Sequence, residues 1–179
     1  SAFMFIKVAT SEYGPVALVN ARLIIASLIF LPILLRKKYL PLLAPIWKHV
    51  LILSVINNMI PFTLFSYASL GSSSNILAIL NATTAFNTMV IAYFWINESV
   101  TFKQIVGLIL GFIGVIILVN PQNSAATLIS SISCLFAAAF YSLSTVFIQK
   151  NSAKTNKLVL IGWSIVFSAV LMMPISYVY

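Results

Sequence analysis

The sequence predicts an all-α integral membrane protein, a multi-helix bundle, on three observations. Hydrophobic residues fill 61% of the 179 positions and charged residues only 7%, whereas a soluble domain carries about 25% charged residues. The apolar residues gather into runs long enough to cross a bilayer, and the mean hydropathy is +1.09. Eight of the ten basic residues fall in every second gap between those runs. No water-soluble surface can be built from this composition. The net charge of +8 does not point to nucleic acid, because the basic residues form no stripe with interleaved aromatics.

An α-helix needs about 20 apolar residues to span the hydrocarbon core. On that measure six full spans are predicted: Pro15 to Leu35, Val50 to Leu70, Ser74 to Ile96, Phe102 to Val119, Ala125 to Ile148 and Leu158 to Val178. Ahead of them, Ser1 to Ser11 is apolar around Lys7. Eleven helical residues reach about 16 Å, about half the core. The chain is therefore expected to start inside a helix, as a piece of a longer protein. No basic segment precedes an apolar stretch with a small-residue cleavage site, so a secretory signal peptide is not expected.

Orientation follows from the gaps. The first basic gap holds Arg36, Lys37, Lys38 and Lys48, the second Lys103, and the third Lys150, Lys154 and Lys157. The gaps Gly71 to Ser73 and Asn120 to Ser124 have no Lys or Arg, and Glu12 to Gly14 carries only an acid. The positive-inside rule places the basic gaps in the cytoplasm and Glu12, Gly71 and Pro121 outside. The expected location is a bacterial-type cytoplasmic membrane, crossed several times. Tyr13, Tyr177, Tyr179 and, on the cytoplasmic side, Trp47 read as interfacial belt residues.

The chain also repeats itself. Set 142 positions apart, Phe5-Ile6-Lys7 matches Phe147-Ile148-Gln149, and Ala26 to Ile33 lies over Ser168 to Ile175, bringing Pro32 onto Pro174. That interval contains five spans, and an odd number turns the second copy upside down. Residues 1–120 form the first five-helix unit on this reading, with its first helix truncated, and residues 121–179 the first two helices of a second, inverted unit. Inverted units of this kind serve alternating-access carriers.

Here the sequence resembles a known family, the EamA-type members of the drug/metabolite transporter superfamily. The resemblance rests on Lys7, on Arg22 with Ala26, on the run Leu80 to Phe86, on Asn97-Glu98, and on Gln104 followed by Gly107, Gly111 and Gly114. It implies a ten-helix carrier of two inverted five-helix repeats, with three further helices after Tyr179, and a secondary transporter or exporter of small metabolites or drugs. Ala85 stands where the family usually has a proline, so the kink that proline would bring is not carried over. No cofactor is implied.

Two charges lie inside spans, where each costs about 2.5 to 3.5 kcal/mol at the centre on insertion scales and is retained facing a cavity or partner. Lys7 is four residues from Ser11, about 6 Å deep and within snorkelling reach. Arg22 is seven residues from Pro15, about 10 Å deep, where snorkelling is harder and a structural and a solute-facing role weigh equally. Their counterparts Gln149 and Ser164 are uncharged, so a pathway lined this way should favour carboxylate-bearing or zwitterionic solutes. Further pathway candidates are Asn57, Asn58, Asn81, Thr83, Thr84, Asn87, Tyr141, Ser142, Ser144, Thr145 and Trp163. Each bonds either to a neighbouring helix or to solute and water. Asn81, Thr84 and Asn87 recur every third residue and share a helix face.

Gly107, Gly111 and Gly114 are expected to form a helix-packing seam, with a hinge as the alternative. Glu98 with Lys103 reads as a cytoplasmic anchor or salt bridge. Cys134, alone in an apolar run, reads as a packing residue. His49 has no second ligand near it, so no metal site is expected, and no catalytic pair or phosphate-cradling loop is recognisable. An intramembrane enzyme is therefore disfavoured. A membrane scaffold or sensor subunit remains the alternative to transport.

Overall fold

The computed structural model describes residues 8–10, 12–119, 125–152 and 155–178. Among these, every regular element is helical: α1 (Pro15–Leu34), α2 (Trp47–Gly71), α3 (Ser74–Ile96), α4 (Phe102–Val119), α5 (Ala125–Ser152) and α6 (Lys157–Val178). All but α4 are long and apolar enough to cross a membrane; in α4 the described apolar stretch is Phe102–Gly111. The helix ends agree with the expected spans to within four residues. The match of Phe5-Ile6-Lys7 to the second unit, together with Lys7, Lys154, Tyr179 and the gap at 120–124, lies outside the described residues.

Local chemistry sets the boundaries. Gly14, at φ 79, turns the chain into α1, and Pro15 opens the helix, where its missing N–H costs nothing. The Ser73 side chain caps α3 by accepting from the Ile76 amide at 3.4 Å. That helix closes on Asn97 in the left-handed region at φ 52. A capping box opens α4: the Thr101 amide donates to Gln104 Oε1 at 2.8 Å, and the Gln104 amide to Thr101 Oγ1 at 3.4 Å. At α6, Asn156 Oδ1 accepts from the Leu158 amide at 2.9 Å.

The sequence reading expects α2 to be a regular helix, and it is not. Its α-helical ends, Trp47–Leu53 and Ile60–Gly71, flank a π-helical segment, Ser54–Met59. The cause is Pro61, which has no N–H for the Asn57 carbonyl and crowds it sterically. Widening the preceding turn relieves the conflict, and the Ile60 amide reaches back five residues to the Val55 carbonyl.

That segment sits at the centre of the bundle. α1 packs along α6, α3 along α5, and α4 lies outside on α3. α2 joins the two pairs: its first half lies against α6, its second half against α5 and α1, and the π segment touches both α5 and α6. Three apolar clusters fill the contacts. Val50 and Leu53 meet Leu34, Val159, Leu160 and Trp163 at the basic end; Val19 and Leu23 meet Ala169 and Met172 between α1 and α6; Phe65 and Ala68 meet Leu77, Cys134 and Ala137. Cys134 is fully buried, with its thiol 3.7 Å from the Leu77 carbonyl.

Lipid tails are as apolar as these side chains, so close packing rather than escape from water holds such contacts. Gly162 shows how close: a Cβ there would lie 3.1 Å from both Leu34 methyl groups. Gly162→Leu should overpack the α1–α6 contact and destabilise the protein by about 1–3 kcal/mol, whereas Gly162→Ala needs only a small shift of Leu34. Unfolding midpoints in detergent micelles check this; an unchanged midpoint for Gly162→Leu would contradict the packing described.

Candidate functional site

The π segment carries a seam of hydrogen bonds to both neighbouring helices. Asn58 Nδ2 donates to Ser168 Oγ at 3.0 Å and to Ser164 Oγ at 3.4 Å on α6. Ser54 Oγ donates to the Ser164 carbonyl at 3.0 Å, and Ser168 Oγ returns a bond to the Ser54 carbonyl at 3.0 Å. Towards α5, Ser144 Oγ donates to Asn57 Oδ1 at 2.7 Å, and Asn57 Nδ2 passes the connection to Asn58 Oδ1 at 3.1 Å. Ser54, Asn58, Ser144, Ser164 and Ser168 are all buried, Asn57 half-buried. Polar groups in hydrocarbon need such partners, and each interhelical bond contributes about 0.6 kcal/mol on average and up to about 1.7.

Beside the seam sits Arg22. Its guanidinium carbon lies 4.9 Å from the centre of the Phe62 ring. Phe62 meets the Tyr141 ring edge-on at 5.8 Å and 67°, and Phe65 meets the same tyrosine at 5.7 Å. The Tyr141 carbonyl lies 2.8 Å from Ser144 Oγ as the alternative acceptor for its one hydrogen, which sets the backbone of the aromatic group beside the seam. Arg22, Phe62, Tyr141, Ser144 and the seam of Ser54, Asn57 and Asn58 with Ser164 and Ser168 thus form one band across α1, α2, α5 and α6. No carboxylate enters it: among the described residues Arg22 has neither ion pair nor hydrogen bond through its side chain, and both acids lie at span ends. Its side chain is exposed.

The other sequence candidates fall elsewhere. On α3, Thr84 Oγ1 donates to Asn81 Oδ1 at 3.3 Å, and the Thr84 carbonyl accepts from Ser142 Oγ on α5 at 2.9 Å. Asn87 is half-buried and makes no hydrogen bond through its side chain among the described residues. Trp163 packs in the apolar cluster around Leu34, edge-on to Phe167 at 6.3 Å, and its buried indole N–H has no partner among the described residues. Gly107, Gly111 and Gly114 are exposed, and a Cβ on any of them would meet nothing within 4 Å. The expected seam therefore has no partner within the described bundle. Among the described residues no group of three His, Cys, Asp or Glu could hold a metal ion.

At the basic end, the expected Glu98 to Lys103 pair is replaced by a different one. Glu98 Oε2 accepts from Gln149 Nε2 on α5 at 3.2 Å, because the left-handed turn at Asn97 carries the chain back towards that helix. Nearby, Lys150 lies over the Trp95 ring at 5.1 Å, and Phe147 contacts both Trp95 and His49. The ends of α3 and α5 and the start of α2 are tied together there.

Comparison with known proteins places this bundle. The model of the EamA-like transporter family matches residues 1–120. The chain belongs to that family. An uncharacterized transporter of Archaeoglobus fulgidus is 22% identical over 97% of this chain, and the chain spans 61% of that protein's length. No solved structure matches. The five long apolar helices and the family make this a multi-pass membrane protein of a transporter family, and the family and the relative's name point to a transporter rather than an enzyme.

Pro61, Phe62, Ser54 and Ser168 are parts of this band that the sequence reading missed. The available signal was Pro61 standing four residues after Asn57, the spacing at which proline disrupts a helix. Ser164 and Ser168, four apart on α6, share the face that Asn58 reaches. A double-mutant cycle on Asn58→Ala and Ser168→Ala should give a coupling of about 0.6–1.7 kcal/mol in unfolding free energy. Strictly additive effects would show that the two side chains do not bond.

Proposed function

We propose that this chain is part of a secondary transporter for small metabolites or drugs, working by alternating access between two inverted five-helix units in a bacterial-type cytoplasmic membrane. The observation that carries the reading is Arg22, a guanidinium about 10 Å inside a span with an aromatic ring as its partner and no acid to neutralise it. Such a charge is costly in lipid and is retained where water or an anion reaches it. A solute bearing a carboxylate, an anion or a zwitterion, suits that position, because the guanidinium fork matches a carboxylate in a bidentate pair. Asn57, the Tyr141 region and the α3 face with Asn81, Thr84 and Asn87 supply neutral hydrogen-bonding groups, and Lys7 a second positive charge near the outer surface.

Contacts between α1 and α6 support the inverted relation of the two units. Asn20 bonds to Ser176, and Leu34 packs on Gly162. A shift of 142 positions turns Asn20 into Gly162 and Leu34 into Ser176, so the two contacts exchange. Pro32 and Pro174 correspond under the same shift and lie inside α1 and α6 respectively. Two helices related by a two-fold axis in the membrane plane produce this pairing. The hydrogen bonding of Asn58 with Ser164 and Ser168 favours a second reading, a membrane scaffold whose polar groups only hold helices together.

Exchange of a panel of radiolabelled carboxylate metabolites across liposomes containing the full-length protein separates the readings. Arg22→Gln should lower exchange of an accepted carboxylate by about 10- to 100-fold, the loss of one charge-assisted hydrogen-bonding site. Exchange by Arg22→Gln at the wild-type affinity and rate would remove Arg22 from the pathway, and no exchange of any solute by the wild type would favour the scaffold.

A further inference from the structure

Phe62 is unexplained by helix packing alone. It is half-buried at the border of the α1–α6 cluster, and its ring contacts both the Arg22 guanidinium on α1 and Tyr141 on α5. We propose that Phe62 is a positioning and specificity-determining residue: it holds the Arg22 guanidinium over its ring so that the N–H groups stay free for the carboxylate of a solute. This rests on the reading of Arg22 as a solute-facing charge.

The chemistry of the Arg22–Phe62 contact carries the inference. A cation over a ring face is held by the ring's quadrupole and needs no N–H to acceptor bond. A carboxylate partner in place of Phe62 would occupy the guanidinium fork and cancel its charge, leaving nothing to recognise an anion. Phe62 thus restrains the arginine without consuming its donors. A long flexible side chain would otherwise lose rotamer freedom on binding, at about 0.5–1.5 kcal/mol.

The ring itself is fixed from behind. Tyr141 meets it edge-on at 5.8 Å and is in turn flanked by Phe65 at 5.7 Å. From below, the π segment ending at Met59 sets its direction. One extra residue in a helix rotates everything beyond it by about 100°, so Asn58 faces α6 while Phe62 faces Arg22. Without Pro61 the turn would close to an ordinary helix and the ring would swing away from α1. The same residue that widens α2 therefore aims its aromatic contact.

The test uses full-length protein in detergent, with benzoate and its uncharged analogue benzamide as probes. Both share a ring, so the ratio of their dissociation constants isolates recognition of the carboxylate. Wild type should bind benzoate at least about 10-fold more tightly than benzamide. Phe62→Leu should lower that ratio by about 2- to 30-fold, the equivalent of a cation–π contact, and Phe62→Tyr should restore it. The proton resonance of Arg22 Nε–H reports the geometry independently of binding: a ring-current upfield shift in wild type and Phe62→Tyr, lost in Phe62→Leu. A ratio and a resonance unchanged in Phe62→Leu would overturn the proposal while leaving Arg22 in place. A wild type that shows no preference for benzoate, with Arg22→Gln indistinguishable from it, would overturn both. Should Phe62→Leu fail to fold, Phe62→Met tests the same loss of the ring.

Discussion

Inside a bilayer a backbone carbonyl or an amide side chain has no water to turn to, so each must be answered by the protein itself. Pro61 creates such a demand in the middle of α2, because it cannot bond the Asn57 carbonyl. The chain responds by widening into a π segment, and the polar side chains of that segment reach outward to α5 and α6. Much of the arrangement depends on this. The pairs α1–α6 and α3–α5 meet through α2, and the hydrogen bonds of Ser54, Asn57 and Asn58 are what cross from one pair to the other. A widened turn is also easier to rearrange than a regular one, and π-helical turns recur at functional sites for that reason.

The same constraint acts on charge. Most basic residues here stand at helix ends or in the gaps between helices, where lipid headgroups and water accept a charge. Arg22 does not. Its side chain stays inside the span on an aromatic support, next to the seam. The tension between an expensive charge and a weak neutral partner is resolved if something negative arrives, which is the physical content of assigning it to a solute. The basic end presents the contrary case: Glu98, Gln149, Trp95, Lys150 and Phe147 satisfy one another there, and with His49 on Phe147 they tie three helices together.

Hydropathy and charge made most of the architecture legible in the sequence, because span length and the positive-inside rule are both one-dimensional properties. Boundaries were equally readable where the apolar runs stop, as at Pro15 and Phe102, although the Thr101 to Gln104 capping box that fixes the latter appears only in the structure. Arg22, Asn57, Asn58, Tyr141 and Ser144 stood out as polar residues in apolar surroundings, and they do share one band. Phe62 did not, since a phenylalanine in a transmembrane helix is compositionally silent and its role appears only once Arg22 is seen across from it. The π segment was hidden for a related reason: Pro61 announces a disturbance but not whether the helix kinks, breaks or widens. Conversely, the spacing of Gly107, Gly111 and Gly114 reads as a packing seam in the sequence, while the described helices supply nothing that approaches them.

The central claim is that the band from Arg22 to Asn57 borders a path open to water and solute. Accessibility of single cysteines in a cysteine-free version of the full-length protein, in vesicles of both orientations, tests it most directly. Phe62→Cys and Asn57→Cys should react with a membrane-impermeant thiol reagent from at least one side. Leu28→Cys and Phe94→Cys, exposed apolar positions on the outer faces of α1 and α3, should not react from either. Reaction at Phe62 and Asn57 as slow as at Leu28 would mean that the band is sealed, and would contradict the account.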